Sequence, residues 1–271
     1  MDPISSNNPE SFYDRSAHQE WDRLERHRTE FAVTLKALHE YLPKPPADVL
    51  DIGGGPGRYA IELTRQGYQV TLIDISSKSL ELAQQKAKES GISLYKVHHS
   101  DAQNLSAIPS DSLQAALLMG PLYHLLSLHE RQQAVHEALR VLKPGGRLFA
   151  TFITRFAPFR RSAHERPHWL GENLEFAYRL LETGVNERGT KFTLAYFARP
   201  EEITPFMEDC GLKTTRLMGC EGVISEIEAG INQLQGRAWE AWVDFNYRLG
   251  SEPSLYGASD HLLYIGEKPE A

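Results

Sequence analysis

The sequence is poor in cysteine, in long apolar runs and in clustered positive charge. Its 271 residues include only two cysteines, Cys210 and Cys220, which fit neither a disulfide framework nor a metal-binding spacing and indicate a reducing compartment. No segment approaches the roughly 20 apolar residues of a transmembrane helix, and the polar N-terminus lacks the pattern of a secretory signal. The net charge of −7 argues against nucleic acid, because phosphate binding requires clustered Lys and Arg. These features predict a cytoplasmic protein without a nucleic-acid or membrane partner.

Apolar segments typical of buried strands alternate with amphipathic segments typical of helices. The candidate strands of the first part are 47–52, 68–75, 93–100, 112–120 and 147–153. A helix over 11–42 precedes them and ends at the proline run 43–46, because proline clashes with a continuing helix. The helix before the last of these strands is closed by the KPGG of 143–146. This alternation predicts an α/β fold with a doubly wound parallel sheet, whose ligands bind beyond the carboxyl ends of the strands.

The alternation is interrupted over 154–200, a segment too long for a simple connection. We interpret it as an insertion or lid after the fifth strand. A helix over 201–211, a further strand and helix, and a strand over 259–268 then complete the chain. The predicted organisation is one domain with four parts: an N-terminal helical lid (1–46), a ligand-binding core (47–153), the insertion (154–200) and closing elements (201–271).

A glycine-rich loop follows the first strand, in the stretch VLDIGGGPGRYA of 49–60. Glycines at that position let the backbone approach a ligand closely and start the next helix tightly. The dinucleotide pattern G-x-G-x-x-G fails here because its last glycine is Arg58, and Pro56 removes one backbone donor from the loop. A P-loop is excluded because no Gly-Lys-Ser/Thr follows.

Three acids mark the ends of successive strands. Asp51 stands just before the glycine loop, where it would repel a pyrophosphate but suits an amino group. Asp74 ends the second strand, where a carboxylate can accept both hydroxyls of a ribose. Asp101 ends the third strand, where it can accept a hydrogen bond from an adenine amine. S-adenosylmethionine fits these three groups better than NAD does.

The chain resembles the class I S-adenosylmethionine-dependent methyltransferases. The resemblance is carried by VLDIGGGPGRYA, LIDIS, SDAQNL, LLMGPLYHL and LRVLKPGG, in order and mostly at strand ends, and covers 47–153 closely. It implies a Rossmann-like sheet of seven mostly parallel strands with an antiparallel last strand, for which 259–268 is the candidate. It also implies the residues that contact the donor: Gly53, Gly55 and Gly57 around the methionine, Asp51 at the amino group, Asp74 with Ile75 at the ribose, Asp101 with Ala102 at the adenine, and Met119 with Gly120 beside the sulfonium.

Three further side chains are candidates for the acceptor side, and one for a lid over the donor. Tyr123 and His124 follow the fourth strand and could place the acceptor and take its proton. Tyr13, in the N-terminal helix, is the candidate residue of a lid over the donor, as in similar small-molecule methyltransferases. Arg155 opens the insertion and could bind an anionic acceptor. For Tyr123, His124 and Arg155 a role in packing or on a solvated surface stays open. No metal site is expected.

These observations predict a methyltransferase that acts on a small molecule by in-line methyl transfer, as a monomer or homodimer. The run Gly120-Pro121-Leu122 differs from the Asn/Asp-Pro-Pro-aromatic motif of related enzymes that methylate the amino groups of nucleic-acid bases. Three alternatives stay open: a methyltransferase of a protein or RNA, a non-catalytic protein that binds S-adenosylmethionine, and an NAD-dependent oxidoreductase. The acceptor atom could be oxygen, nitrogen, sulfur or carbon.

Overall fold

The computed structural model describes residues 9–188 and 193–270. Two helices begin the chain, α1 (Pro9–Arg26) and α2 (Arg28–Tyr41). The prediction of one continuous helix over 11–42 is therefore wrong. The helix is interrupted at His27, whose backbone leaves the helical region with φ −109° and ψ 56°. The apolar spacing continues across the break, so the periodicity alone could not reveal it.

Seven strands form one sheet in the spatial order β3-β2-β1-β4-β5-β9-β8. They are β1 (Asp48–Ile52), β2 (Gln69–Asp74), β3 (Lys96–His99), β4 (Leu113–Leu118), β5 (Leu142–Ile153), β8 (Lys213–Gly219) and β9 (His261–Glu267). Neighbours among β1 to β5 run parallel, whereas β9 runs antiparallel to both β5 and β8. The predicted fold class, with its antiparallel last strand, is confirmed.

The sheet is covered on both faces, because the interior strand β1 presents apolar side chains to both of them. Leu50 and Ile52 pack into one hydrophobic core, whereas Val49 packs into the core of the opposite face. The helices between the strands are α3 (Arg58–Arg65), α4 (Ser77–Glu89) and α5 (Leu128–Val141). A strand that is buried on both faces needs a nearly continuous apolar run, which 47–52 supplies apart from its two acids.

The strand β5 starts earlier than the sequence predicts. The KPGG segment of 143–146 belongs to it and does not form a separate turn. Gly145 donates a backbone hydrogen bond to Lys268 O (2.9 Å), and Lys268 donates one to Gly146 O (2.9 Å). The pairing with the end of the chain explains the extended start of β5, and such a long-range partner cannot be inferred from the local pattern.

The predicted insertion contains α6 (Ala157–Glu165), α7 (Trp169–Glu172), α8 (Leu174–Thr183) and a small hairpin of β6 (Val185–Asn186) and β7 (Ala195–Tyr196). The closing part adds α9 (Pro200–Asp209), α10 (Ala229–Asn232) and α11 (Gly236–Leu249). Short 3₁₀ helices cover 121–124, 222–224 and 253–258. In the described part of the chain, no helix is long and apolar enough to cross a membrane.

Candidate active site

Two adjoining cavities lie at the carboxyl ends of the parallel strands. The first has a volume of about 340 Å³ and is bounded by the ends of β1, β2 and β4 and by α1. The second has a volume of about 450 Å³ and lies among α1, α6 to α8 and the segment that leads into β9. Four side chains line both cavities: Tyr13, Glu20, Arg23 and Tyr123. The two cavities therefore meet at the inner face of α1.

Most of the predicted donor residues line the first cavity. They are Tyr13, Asp51, Gly53, Gly55, Asp74, Ile75, Asp101, Ala102, Met119 and Gly120. Gly57 does not line it. Gly57 has φ +78° at the start of α3, and a Cβ there would lie 3.1 Å from Ala83 Cβ. This geometry lets α3 start close to α4, and the role of Gly57 in donor binding stays a prediction.

The glycine loop after β1 leaves space beside its backbone for a ligand. Gly53 has φ +67°, and a Cβ on it would lie 2.4 Å from Pro121 Cγ, so only glycine fits there. Gly55 has φ +54°, and a Cβ on it would meet nothing within 4 Å. Gly55 thus needs glycine for its backbone conformation, and it faces open space in the cavity.

The two acids at the ends of β1 and β2 differ in their partners. Both oxygens of Asp74 accept backbone hydrogen bonds, from Gly55 N and from Ser76 N, each at 2.8 Å. Among the described residues, Asp51 Oδ2 is buried without a hydrogen-bond partner. Burial and the neighbouring charge of Asp74 raise the pKa of Asp51 to about 7. A cationic group beside Asp51 would stabilise its ionised form.

The first cavity fits S-adenosylmethionine on this evidence. Asp51 offers an unpartnered carboxylate oxygen for the amino group, and Gly55 borders open space. Asp74 is fixed by two backbone donors, so its remaining lone pairs are oriented for ribose hydroxyls. Asp101 is exposed and accepts a hydrogen bond from Gln103 N (2.8 Å), while Ala102 is buried. These two residues form the far side of the cavity, where the resemblance implies the adenine.

Tyr13, Tyr123 and His124 come together at the junction of the cavities. The Tyr13 hydroxyl lies 2.6 Å from His124 Nε2, and His124 Nδ1 lies 3.5 Å from Leu194 O. A hydrogen on Nδ1 satisfies that carbonyl, so we assign Nε2 as the acceptor of the Tyr13 hydroxyl. Burial lowers the pKa of His124 to about 4, and burial raises the pKa of Tyr123 above its usual value. His124 is therefore a neutral base at physiological pH.

The second cavity has one apolar and one charged wall. The apolar wall comes from β5 and the insertion: Ile153, Ala157, Pro158, Trp169, Phe176, Leu180 and Phe197. The charged wall comes mainly from the closing part of the chain: Glu221, Glu226, Glu228, Asp260 and His261, with Arg161 from α6. A ligand in this cavity would meet an aromatic surface on one side and hydrogen-bonding groups on the other.

The charged wall contains an ion-pair network that the sequence does not reveal. Arg23 forms two hydrogen bonds to Glu30, at 2.6 and 2.9 Å. His261 Nδ1 lies 2.5 Å from Glu221 Oε1 and 3.8 Å from Glu30 Oε2. Burial opposes ionisation of both Glu30 and His261, yet their partners lower the pKa of Glu30 to about 2 and raise that of His261 to about 9. The partners are up to about 240 residues apart, so no local motif signals them.

Glu30, Glu221 and His261 are close enough to hold a metal ion by distance alone, with ligand atoms within 4.8 Å of one another. Their oxygens already have partners, however. Arg23 binds both oxygens of Glu30, and Glu221 Oε2 accepts hydrogen bonds from Ser259 Oγ (2.7 Å) and His261 N (2.8 Å). We therefore interpret the group as a charge network.

Arg155 does not belong to either cavity. Its side chain is buried and donates hydrogen bonds to Phe197 O (3.1 Å) and Glu182 O (3.1 Å) and to Glu202 Oε2 (3.0 Å). These bonds tie the insertion to α9. The prediction of Arg155 as an acceptor-binding residue is therefore corrected: its guanidinium is already occupied by an internal carboxylate and two carbonyls.

Comparisons with known proteins agree with the fold and the site. Residues 49–146 match the family described as "Methyltransferase domain". A ubiquinone biosynthesis O-methyltransferase of Xylella fastidiosa (strain 9a5c) is 29% identical over 189 residues, which are 69% of this chain and 69% of that protein. The enzyme of the same name from Aromatoleum aromaticum is 28% identical over 215 residues, 75% of this chain and 81% of that protein.

Solved structures show the same fold. An S-adenosylmethionine-dependent methyltransferase from Methanosarcina mazei superposes with a TM-score of 0.59 at 21% identity, covering 87% of this chain and 98% of that one. A geranyl diphosphate C-methyltransferase from Streptomyces coelicolor A3(2), crystallised with S-adenosyl-L-homocysteine, superposes with a TM-score of 0.52 at 17% identity, covering 98% and 88%. The family match over 49–146 and the curated relatives agree with the resemblance to S-adenosylmethionine-dependent methyltransferases that the sequence motifs predict. The predicted enzyme class and cofactor are confirmed.

Proposed function

We propose that this methyltransferase modifies a small, largely apolar or aromatic molecule held in the second cavity, with S-adenosylmethionine in the first. The observation that carries the proposal is the junction at Tyr13 and Tyr123, which line both cavities. A volume of about 450 Å³ lies within the range of small-molecule pockets. The relatives named as O-methyltransferases of ubiquinone biosynthesis support a small acceptor, and an oxygen as the methylated atom.

When bound, S-adenosylmethionine supplies an electrophilic methyl group on a positively charged sulfur, and that charge disappears on transfer. The residues of this chain then have two tasks. The glycine loop, Asp51 and Asp74 hold the donor in place, so that alignment lowers the barrier. Tyr13 and His124 accept the proton that a hydroxyl acceptor loses.

The proton moves over two hydrogen bonds in this proposal. The acceptor hydroxyl gives its proton to the Tyr13 oxygen as Tyr13 gives its own proton to His124 Nε2. Tyr13 ends neutral, and the positive charge appears on His124. A buried imidazole with a lowered pKa is a weak base, so the transfer becomes favourable only as the positive charge of the donor is lost.

The test is methyl transfer from labelled S-adenosylmethionine to a panel of simple phenols. His124→Gln should lower kcat by about 100-fold, the lower range for general base catalysis, while the Kd of S-adenosylhomocysteine stays within about twofold. His129→Gln is the matched control, because His129 lies exposed on α5. Equal kcat for His124→Gln and wild type would return His124 to a packing role. Donor binding without transfer to any small acceptor would favour the non-catalytic alternative.

A cytoplasmic location belongs to the same proposal. It is supported by Cys210 and Cys220, which are both free and buried thiols in the structure.

A further inference from the structure

The charged network at the second cavity holds one group that the proposed reaction does not use. His261 is the first residue of β9 and lines the second cavity. Its ring centroid lies 6.5 Å from that of Tyr123, at the junction with the donor cavity. This distance and the 63° angle between the two rings are those of an edge contact, so His261 borders the second cavity beside Tyr123, which also lines the first.

The orientation of the His261 ring is fixed by the groups that face its Nδ1 atom. Its Nδ1 faces Glu221 Oε1 at 2.5 Å and Glu30 Oε2 at 3.8 Å, and both carboxylates are almost fully buried. Glu30 is itself held by Arg23, and Glu221 by Ser259 and the backbone of His261. The ring therefore cannot rotate without leaving the buried Glu221 Oε1 short of its His261 partner, which costs more than rotation of an exposed ring would.

We propose that His261 is the specificity-determining hydrogen-bond donor of the acceptor site: with Nδ1 engaged by Glu221, Nε2–H binds a neutral oxygen of the acceptor other than the one that is methylated. This inference rests on the proposed function. The charged form of the imidazole, in which both nitrogens donate, is favoured because the two carboxylates raise the pKa of His261 to about 9 although burial opposes the charge. Such a donor binds a carbonyl or hydroxyl oxygen more strongly than a neutral donor does.

The other charged residues of the second cavity determine whether it prefers a neutral or an anionic oxygen on the acceptor. Six acidic side chains line it (Glu20, Glu165, Glu221, Glu226, Glu228 and Asp260). Three arginines (Arg23, Arg161 and Arg166) and His261 oppose them. Asp260 directly precedes His261 and is paired with Arg160 and Arg161. A carboxylate on the acceptor would face this excess of negative charge in a partly desolvated site. A ketone, an amide carbonyl or a hydroxyl is uncharged and would not be repelled by these acidic side chains.

The experiment uses three phenols of similar size with the S-adenosylhomocysteine-loaded protein. They are 4-hydroxyacetophenone, which has a carbonyl oxygen, 4-ethylphenol, which lacks it, and 4-hydroxybenzoate, which is anionic. Calorimetry at pH 7 should show 4-hydroxyacetophenone binding at least about tenfold more tightly than either of the others, as expected for one charge-assisted hydrogen bond. His261→Leu should abolish the preference over 4-ethylphenol. His129→Leu, a substitution on the exposed face of α5, should leave it unchanged.

A measurement on the wild-type protein covers the case in which His261→Leu fails to fold. The His261 imidazole resonances should move on saturation with 4-hydroxyacetophenone and stay in place with 4-ethylphenol. Glu221→Gln, which keeps the shape of the pair but removes one charge, should lower the titration midpoint of His261 and reduce the preference above that midpoint.

Two results would overturn the inference. Equal affinities for the carbonyl and alkyl phenols, with methylation of both, would remove His261 from recognition but leave the proposed function intact. If the protein binds S-adenosylhomocysteine but none of the three phenols, the aromatic acceptor is wrong and this inference falls with it.

Discussion

At the scale of single residues, Asp51 shows how donor binding and stability oppose each other. Its carboxyl is buried, has one oxygen without a partner in the described part of the chain, and has a pKa raised to about 7. The unfolded chain ionises this group near pH 4. Between about pH 4 and pH 7 the folded protein keeps a proton on Asp51 that the unfolded chain has lost, so the free energy of unfolding falls as the pH rises. Above about pH 7 the folded protein carries an unfavourable buried charge at Asp51.

Asp51→Asn should consequently stabilise the ligand-free protein at pH 8, by about 4 kcal/mol at most. The same substitution should weaken S-adenosylhomocysteine binding, because the amino group loses an ionic partner. Thermal unfolding at pH 5 and pH 8, with and without S-adenosylhomocysteine, measures both effects. We expect the variant to have the higher Tm without ligand at pH 8, a smaller advantage at pH 5, and the smaller ligand-induced rise. A lower ligand-free Tm at pH 8 would contradict the argument.

At the scale of elements, α1 differs from the helix that follows it. Only three of its 18 residues are buried, whereas six of the 14 residues of α2 are. The inner face of α1 instead lines the two cavities through Tyr13, Glu20, Arg23 and Leu24. The break at His27 separates the two helices. A helix with little buried apolar surface opens locally at low cost, as a lid over the donor requires.

Hydrogen exchange should therefore distinguish the two helices. Without ligand, the amides of α1 should exchange faster than those of α2, since less burial opposes the opening of α1. S-adenosylhomocysteine should slow exchange in α1 and leave α2 nearly unchanged. The helix α8, which does not line the first cavity, serves as the internal reference. Equal protection of α1 with and without ligand would show that it does not act as a lid.

The elements also show what could be predicted from the sequence. The strands and the glycine loop were predictable because their signals are local: apolar runs of five or six residues and glycines with positive φ. The positions of Asp51, Asp74 and Tyr13 at the first cavity follow from the strand ends and from the resemblance. Arg155 and His261 were not predictable, because their roles depend on partners such as Glu202 and Glu221 that only the tertiary structure brings near.

At the scale of the whole molecule, the two cavities are built by different parts of the chain. The parallel strands bring the glycine loop and the acids of β1 and β2 to one edge of the sheet, which makes the donor cavity. The second cavity, where we propose that the acceptor binds, is made by parts outside that core, namely α1, the insertion and the segment that leads into β9. The matched methyltransferase domain, 49–146, thus contains most of the first cavity, whereas most of the second cavity lies outside it.

This division predicts how ligands change the stability of the folded protein. A ligand that binds only the native state at 100 times its Kd raises the free energy of unfolding by about 2.7 kcal/mol. S-adenosylmethionine and S-adenosylhomocysteine at that excess should each raise Tm by several degrees in a thermal melt. NAD at the same concentration should leave Tm unchanged, because Asp51 repels a pyrophosphate and Arg58 replaces the last glycine of the dinucleotide pattern. A rise in Tm with NAD but not with S-adenosylhomocysteine would contradict the role given to the glycine loop. A rise with both would show that the loop accommodates either group, and Asp51 would then lose its part in the choice between them.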